Sequence, residues 1–133
     1  MKQNQKGFTL IELLAVIVIL AVIALIATPI VLSTIETARK GAAEDSAYGA
    51  LKAVSEAYLE AQITNTSGNL TAEYDFSSDA SNSFEITISG TRPTAGTVTI
   101  TDNNVTISND DHLIIKGYSC EGNSNNVTCT KIS

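Results

Sequence analysis

The hydrophobic pattern changes character three times along the chain. From Leu13 to Leu32 twenty consecutive positions are almost wholly aliphatic, and a helix of that length spans about 30 Å, the thickness of a bilayer's hydrocarbon core. Beyond Pro29 the pattern becomes amphipathic: Ala43, Ala47, Leu51, Val54, Tyr58 and Ala61 recur at spacings of three and four and define one helix face. Charged residues surround that stripe, with Glu36 and Lys40 at the favourable i, i+4 spacing. The stripe is read as a face packed on the chain's own core. Helical character is expected to run unbroken to Gln62.

Residues Ile63 to Ser83 form a polar connector with little periodicity. Twenty-one residues are long for a structureless loop, so the connector is expected to pack partly on the rest of the domain, with Tyr74 and Phe76 as anchors. Strand-like alternation follows over Phe84–Ile88, Val98–Thr101 and Val105–Ile107. Asp102, Asn103 and Asn104 separate the last two runs and tolerate turn geometry, which predicts a tight hairpin. His112 to Tyr118 and Asn126 to Ile132 supply one or two more strands. The expected class is α+β, a long N-terminal helix packed on a small antiparallel sheet.

Length and charge narrow the functions. At 133 residues the chain holds one small domain plus an anchor. Its net charge of -6 lacks the clustered Lys and Arg that displace counterions from phosphates, so direct nucleic-acid binding is not expected. The two cysteines, Cys120 and Cys129, stand at C-x8-C, which is neither a C-x2-C zinc nor a redox spacing. In an exported chain this is read as one disulfide closing a short loop, worth roughly 2 to 3 kcal/mol on the loop-entropy model.

The apolar segment admits three readings. Lys2 and Lys6 precede it with no acidic residue between them, which places the N-terminus in the cytoplasm and the C-terminal head outside. A secretory signal peptide, cut after Val22-Ile23-Ala24, would leave an exported soluble binding module beginning near Leu25. A plain bitopic anchor accounts for the length. Neither explains Glu12, because an unpaired acid at mid-bilayer costs about 2.5 to 3.5 kcal/mol on insertion scales, less near the edge, and is retained where it has a partner. A cut after Gly7 would create an α-amino group on Phe8, within one helical turn of Glu12 and able to pair with the Glu12 of a neighbouring copy.

Lys6-Gly7-Phe8-Thr9-Leu10-Ile11-Glu12 resembles the processing site of type IV pilins and the related pseudopilins. It combines a short basic leader, a small residue at the cut, an aromatic after it, an acid at fixed spacing and the long apolar run. The resemblance is tight over about Lys6 to Leu32 and extends in architecture to about Gln62. It implies that a membrane-embedded prepilin peptidase cuts between Gly7 and Phe8 and N-methylates Phe8. It also implies that Glu12 neutralises a neighbour's terminal amine during assembly. Pro29 matches a position where the family commonly has a proline, and there it would bend the helix. A locally melted stretch often precedes that proline, frequently with a glycine near its start; here Ala21, a strong helix former, stands in its place.

By this resemblance residues 1–7 are a leader, 8–32 the hydrophobic membrane or filament-core helix, 33–62 its amphipathic half, 63–83 an exposed loop and 84–133 a sheet with a C-terminal disulfide loop. The implied protein is a structural subunit of an extracellular pilus, held in the cytoplasmic membrane as a prepilin and then polymerised. Inner-membrane lipid, the peptidase, an assembly ATPase and a platform protein are its implied partners. A pseudopilin of a type II secretion or competence system shares the same N-terminal chemistry.

No cofactor, metal site or catalytic residue is expected. Asp110-Asp111-His112 offers carboxylate and imidazole, but adjacent residues rarely converge on one ion, and it is read as a turn before a strand. No nucleophile with a base in motif context and no glycine-rich phosphate loop is visible. Four Asn-x-Ser/Thr matches, at Asn65, Asn69, Asn104 and Asn126, are read as solvated surface.

Overall fold

The computed structural model describes residues 7–65, 68 and 70–132. Lys2 and Lys6, on which the membrane orientation rests, lie outside the described residues, as do positions 66, 67 and 69 of the first two Asn-x-Ser/Thr matches.

One helix, α1, runs Leu10–Thr64. It continues through Ala21 and contains Pro29, whose missing N–H leaves the Leu25 carbonyl without its usual donor. The chain divides into two compact units, Met1–Thr37 and Ala38–Ser133. In the first unit every large aliphatic side chain from Leu10 to Ile35 is exposed, and no described residue is buried. This stretch is long and apolar enough to cross a membrane.

In the second unit α1 buries Ala43, Ala47, Ala50, Leu51 and Val54. They sit at the three- and four-residue spacing that brings side chains onto one face of a helix. Among the described residues six strands complete the unit: β1 Glu73–Asp75, β2 Thr97–Thr101, β3 Asn104–Ile107, β4 Leu113–Ile115, β5 Tyr118–Asn123 and β6 Asn126–Lys131. All pairings are antiparallel, in the order β1-β2-β3-β5-β4 with β6 also on β5. Cys120 pairs with both Leu113 and Cys129, and Asn123 with both Thr106 and Asn126. β5 therefore carries β6 along one edge and shares its other edge between β4 and β3. The inward residues Val98, Val105, Ile107, Leu113, Ile115, Cys120, Val127 and Cys129 join the α1 stripe and Tyr74, Phe76 and Phe84 in one core.

The turns explain the register. Asp102 and Asn103 link β2 to β3 with φ of 49° and 65°, the positive pair that a two-residue hairpin matched to strand twist requires. Lys116 and Gly117 do the same between β4 and β5, at 48° and 84°. The run from His112 to Tyr118 is thus not one strand but β4, a turn and the start of β5. Between β5 and β6, the Asn123 side-chain carbonyl accepts from the N–H groups of Asn125 and Asn126 at 2.9 and 3.1 Å, an Asx turn. Gly122 has φ 126°, and a Cβ there would lie 2.1 Å from the Asn126 carbonyl oxygen, so only glycine fits.

Two expectations are corrected. Phe84–Ile88 is not a strand, and the connector, read as a loop packed partly on the domain through Tyr74 and Phe76, contributes the strand β1. β2 has only two edges, and β1 and β3 occupy both. The alternation at 84–88 survives as burial without a ladder: Phe84 is buried, Ile86 and Ile88 are half-buried against the core, and Glu85 and Thr87 are exposed. Phe84 lies 5.8 Å from the Tyr58 ring and 5.4 Å from Tyr74, so aromatic packing holds the segment instead.

Leu51→Ala is expected to destabilise the second unit by about 2–5 kcal/mol through the cavity it leaves. Gly122→Ala is expected to cost about 1–3 kcal/mol through backbone strain at the β5–β6 turn. Denaturant unfolding of the full chain in detergent, followed by near-ultraviolet circular dichroism of the tyrosines, measures both.

Candidate functional site

The site predicted at the N-terminus is built by the way α1 begins. Gly7, Phe8 and Thr9 are not helical, and Leu10 is the first helical residue. The Thr9 carbonyl accepts the first intrahelical bond, from the Leu13 N–H at 3.1 Å, which makes Thr9 the N-cap. Its hydroxyl accepts from the Glu12 N–H at 3.2 Å, and the Glu12 carboxylate accepts from the Thr9 N–H at 3.4 Å. This reciprocal pair is a capping box. It satisfies two backbone donors that a helix start leaves orphaned, and it sets a negative group at the positive end of the helix dipole.

Glu12 therefore has a role that reading it only as an intermolecular partner misses. The signal was in the sequence: Thr9-x-x-Glu12 directly ahead of an apolar run is the capping-box pattern. One hydrogen bond leaves most of a carboxylate's acceptor capacity free. The exposed Glu12 can cap its own helix and still accept a cation.

Phe8 is 86% exposed, and the Gly7–Phe8 bond lies in non-helical backbone two residues before the first helical turn. The structure thus keeps Gly7, Phe8, Thr9 and Glu12 together at one helix end. Pro29 lies elsewhere in the same helix.

Cys120 and Cys129 belong to the second unit, where they face each other across β5 and β6 and form a disulfide, with Cα atoms 4.1 Å apart. Both are fully buried. The bridge cross-links residues already paired in register, which pins the two strands against slippage. It carries no free thiol chemistry.

Asp110-Asp111-His112 forms the turn before β4. Asp111 accepts from the Thr97 hydroxyl at 2.7 Å, the His112 Nδ1 is 3.2 Å from the Ser119 hydroxyl, and its Nε2 is 3.6 Å from a Glu121 oxygen. These contacts fasten the turn to β2 and β5. Among the described residues no group of three or more His, Cys, Asp or Glu side chains could hold a metal ion.

A long N-terminal helix with a six-stranded antiparallel sheet is a pilin-like α+β architecture. Residues 2–28 match the prokaryotic N-terminal methylation motif, the signature of type IV pilins and pseudopilins. No curated protein sequence and no solved structure matches the chain.

Thr9→Ala is expected to fray the first turn. Losing an N-cap costs about 1 kcal/mol, so amide exchange at Glu12 should accelerate roughly fivefold, and Thr9→Ser should restore it. Exchange measured by NMR on the full chain in detergent micelles tests this, and an unchanged Glu12 amide would show that the box contributes nothing.

Proposed function

We propose that this chain is the structural subunit of an extracellular type IV pilus, its major pilin, made as a membrane-held prepilin and cleaved between Gly7 and Phe8. The observation that carries this is the methylation-motif match over residues 2–28, coincident with an exposed apolar helix. The peptidase reaches a non-helical Gly7–Phe8 bond just ahead of the Thr9 cap and leaves Phe8 with a free, then methylated, amine. Lys2 and Lys6 hold the leader on the cytoplasmic side, and the acidic sheet unit lies outside.

Assembly follows from the solvents the helix meets. Before polymerisation, lipid covers the aliphatic run. Moving it into a bundle of neighbouring helices exchanges one apolar surrounding for another, so the hydrophobic effect supplies little net drive. Packing and charge pairing then select the neighbour. The Glu12 carboxylate meets the cationic Phe8 terminus of an adjacent copy, which removes two uncompensated charges from an apolar environment at once. An assembly ATPase and a platform protein supply the work of extraction. The sheet units form the filament surface, which serves motility, adhesion or biofilm formation.

Two measurements test the proposal. Mass spectrometry of protein sheared from the cell surface is expected to give a chain beginning with methylated Phe8; a start near Leu25 would mean a discarded signal peptide and no filament role. Glu12→Ala is expected to leave cleavage intact while filament yield falls severalfold, counted by electron microscopy. Unchanged filaments would remove Glu12 from assembly. Processed protein without surface filaments in the wild type would assign the chain to the pseudopilins.

A further inference from the structure

The second unit contains an open cleft of about 670 Å³ between β1, the loop that follows it and the segment carrying Arg92 and Pro93. Its volume lies in the range of small-molecule sites. Tyr74, Phe76 and Phe84 line it as buried rings, Tyr74 meeting Phe76 edge-on with centroids 4.9 Å apart and Phe84 at a tilt with centroids 5.4 Å apart. Two side chains hold the loop: the Asn82 amide accepts from the Asp75 N–H and donates to the Asp75 carbonyl, and the Asp75 carboxylate accepts from the Ser77 N–H, all at 2.8 Å. Asn82 thus mimics a strand partner, and the cleft wall is fixed rather than slack.

Arg92 is the unusual member. Residues 38–133 carry twelve Asp and Glu against six Lys and Arg, so a cation here would be expected to sit against a carboxylate. Among the described residues none lies within ion-pair distance of Arg92. Two neutral groups hold it instead: it donates to the Tyr74 hydroxyl at 3.2 Å, and its guanidinium carbon lies 5.6 Å from the Phe76 ring centre. A guanidinium has five N–H donors in a rigid fork, so most remain available at an exposed position of the cleft. Ser77, Ser78 and Ser81 place hydroxyl groups on the same cleft, and Glu85 is its lining carboxylate.

We propose that this cleft binds an acidic sugar of the uronic-acid type, with the ligand carboxylate on Arg92 and its ring hydroxyls on the serines and Glu85. A carboxylate matches the guanidinium fork with two parallel hydrogen bonds. Glu85 and the acidic surroundings disfavour a densely charged polyanion such as a phosphate polymer, while a ring bearing one carboxylate and several hydroxyls meets one cation and several neutral or acceptor groups. The assignment is independent of filament assembly, since every group it uses lies within the second unit.

The test is a titration of the full chain in detergent micelles, followed by NMR shifts of the Tyr74 and Arg92 resonances, with galacturonic acid, galactose and acetate as separate probes. Galacturonic acid is expected to bind at least tenfold more tightly than either of the others, the charged contact accounting for the gap to galactose. Arg92→Gln is expected to lose roughly tenfold in galacturonic acid affinity, and Arg92→Lys to recover part of it, with near-ultraviolet circular dichroism confirming that both variants are folded. Galactose binding as tightly as galacturonic acid would overturn the role of Arg92, and so would an unaltered Arg92→Gln. Acetate binding as tightly would reduce the site to a bare anion contact and overturn the sugar assignment. Absence of any galacturonic acid binding in the millimolar range would overturn the site altogether.

Discussion

Close approach between α1 and the sheet governs the second unit. Ala43, Ala47 and Ala50 end at Cβ and are buried in one core with the strand side chains, and Leu51 and Val54 fill the remaining depth. The same proximity brings two polar helix residues within reach of β6. The Tyr48 hydroxyl accepts from the Val127 N–H at 2.8 Å, and a Glu44 oxygen lies 3.4 Å from the Cys129 N–H. β6 is an outer strand whose free N–H groups would otherwise be available to another chain. Bulkier residues at the alanine positions would force the helix outward, opening the core and uncovering that edge together.

The two ends of α1 obey different rules although one helix spans both. Within the second unit the helix is stabilised by tertiary packing, as most protein helices are. In the first unit no described residue is buried, so backbone hydrogen bonding, aliphatic propensity and a well-made start must suffice until lipid or other copies cover the surface. The Thr9–Glu12 box matters more in such a setting. The pairing proposed for Glu12 adds to this cap rather than competing with it.

Segment 76–96 shows how a chain is ordered without a ladder. Aromatic contacts at Phe76 and Phe84, the Asn82 amide on Asp75, and the bridge between Ala95 and Ile114 fix it at intervals. Gly96 lets this segment pass close to β4; a Cβ there would lie 2.5 Å from the His112 carbonyl oxygen. Such side-chain ordering leaves a rim of hydroxyl groups facing water, which gives the cleft beside Arg92 its character.

Local chemistry made several features legible from the residues alone. The aliphatic run, the three-and-four stripe on α1, the Asp102–Asn103 turn and the cysteine pair each depend on neighbours in sequence or on a simple period. Thr9-x-x-Glu12 was equally legible as a capping box but is easily overshadowed by the motif that contains it. The strand at Glu73–Asp75 and the absence of one at Phe84–Ile88 were not legible, because alternation records which side chains face the core and not which backbone edge is vacant. β2 had one edge to offer beside β3, and β1 took it. Nothing in its sequence neighbours distinguishes Arg92; folding sets it against Tyr74 and Phe76, eighteen and sixteen residues away, and among the described residues no carboxylate lies within ion-pair distance of it. Sequence by itself determined the helix, its aliphatic run and its N-terminal methylation motif, since these rest on composition and short spacings; tertiary structure alone decided strand partners and the surroundings of Arg92, since these rest on long-range competition for edges and space.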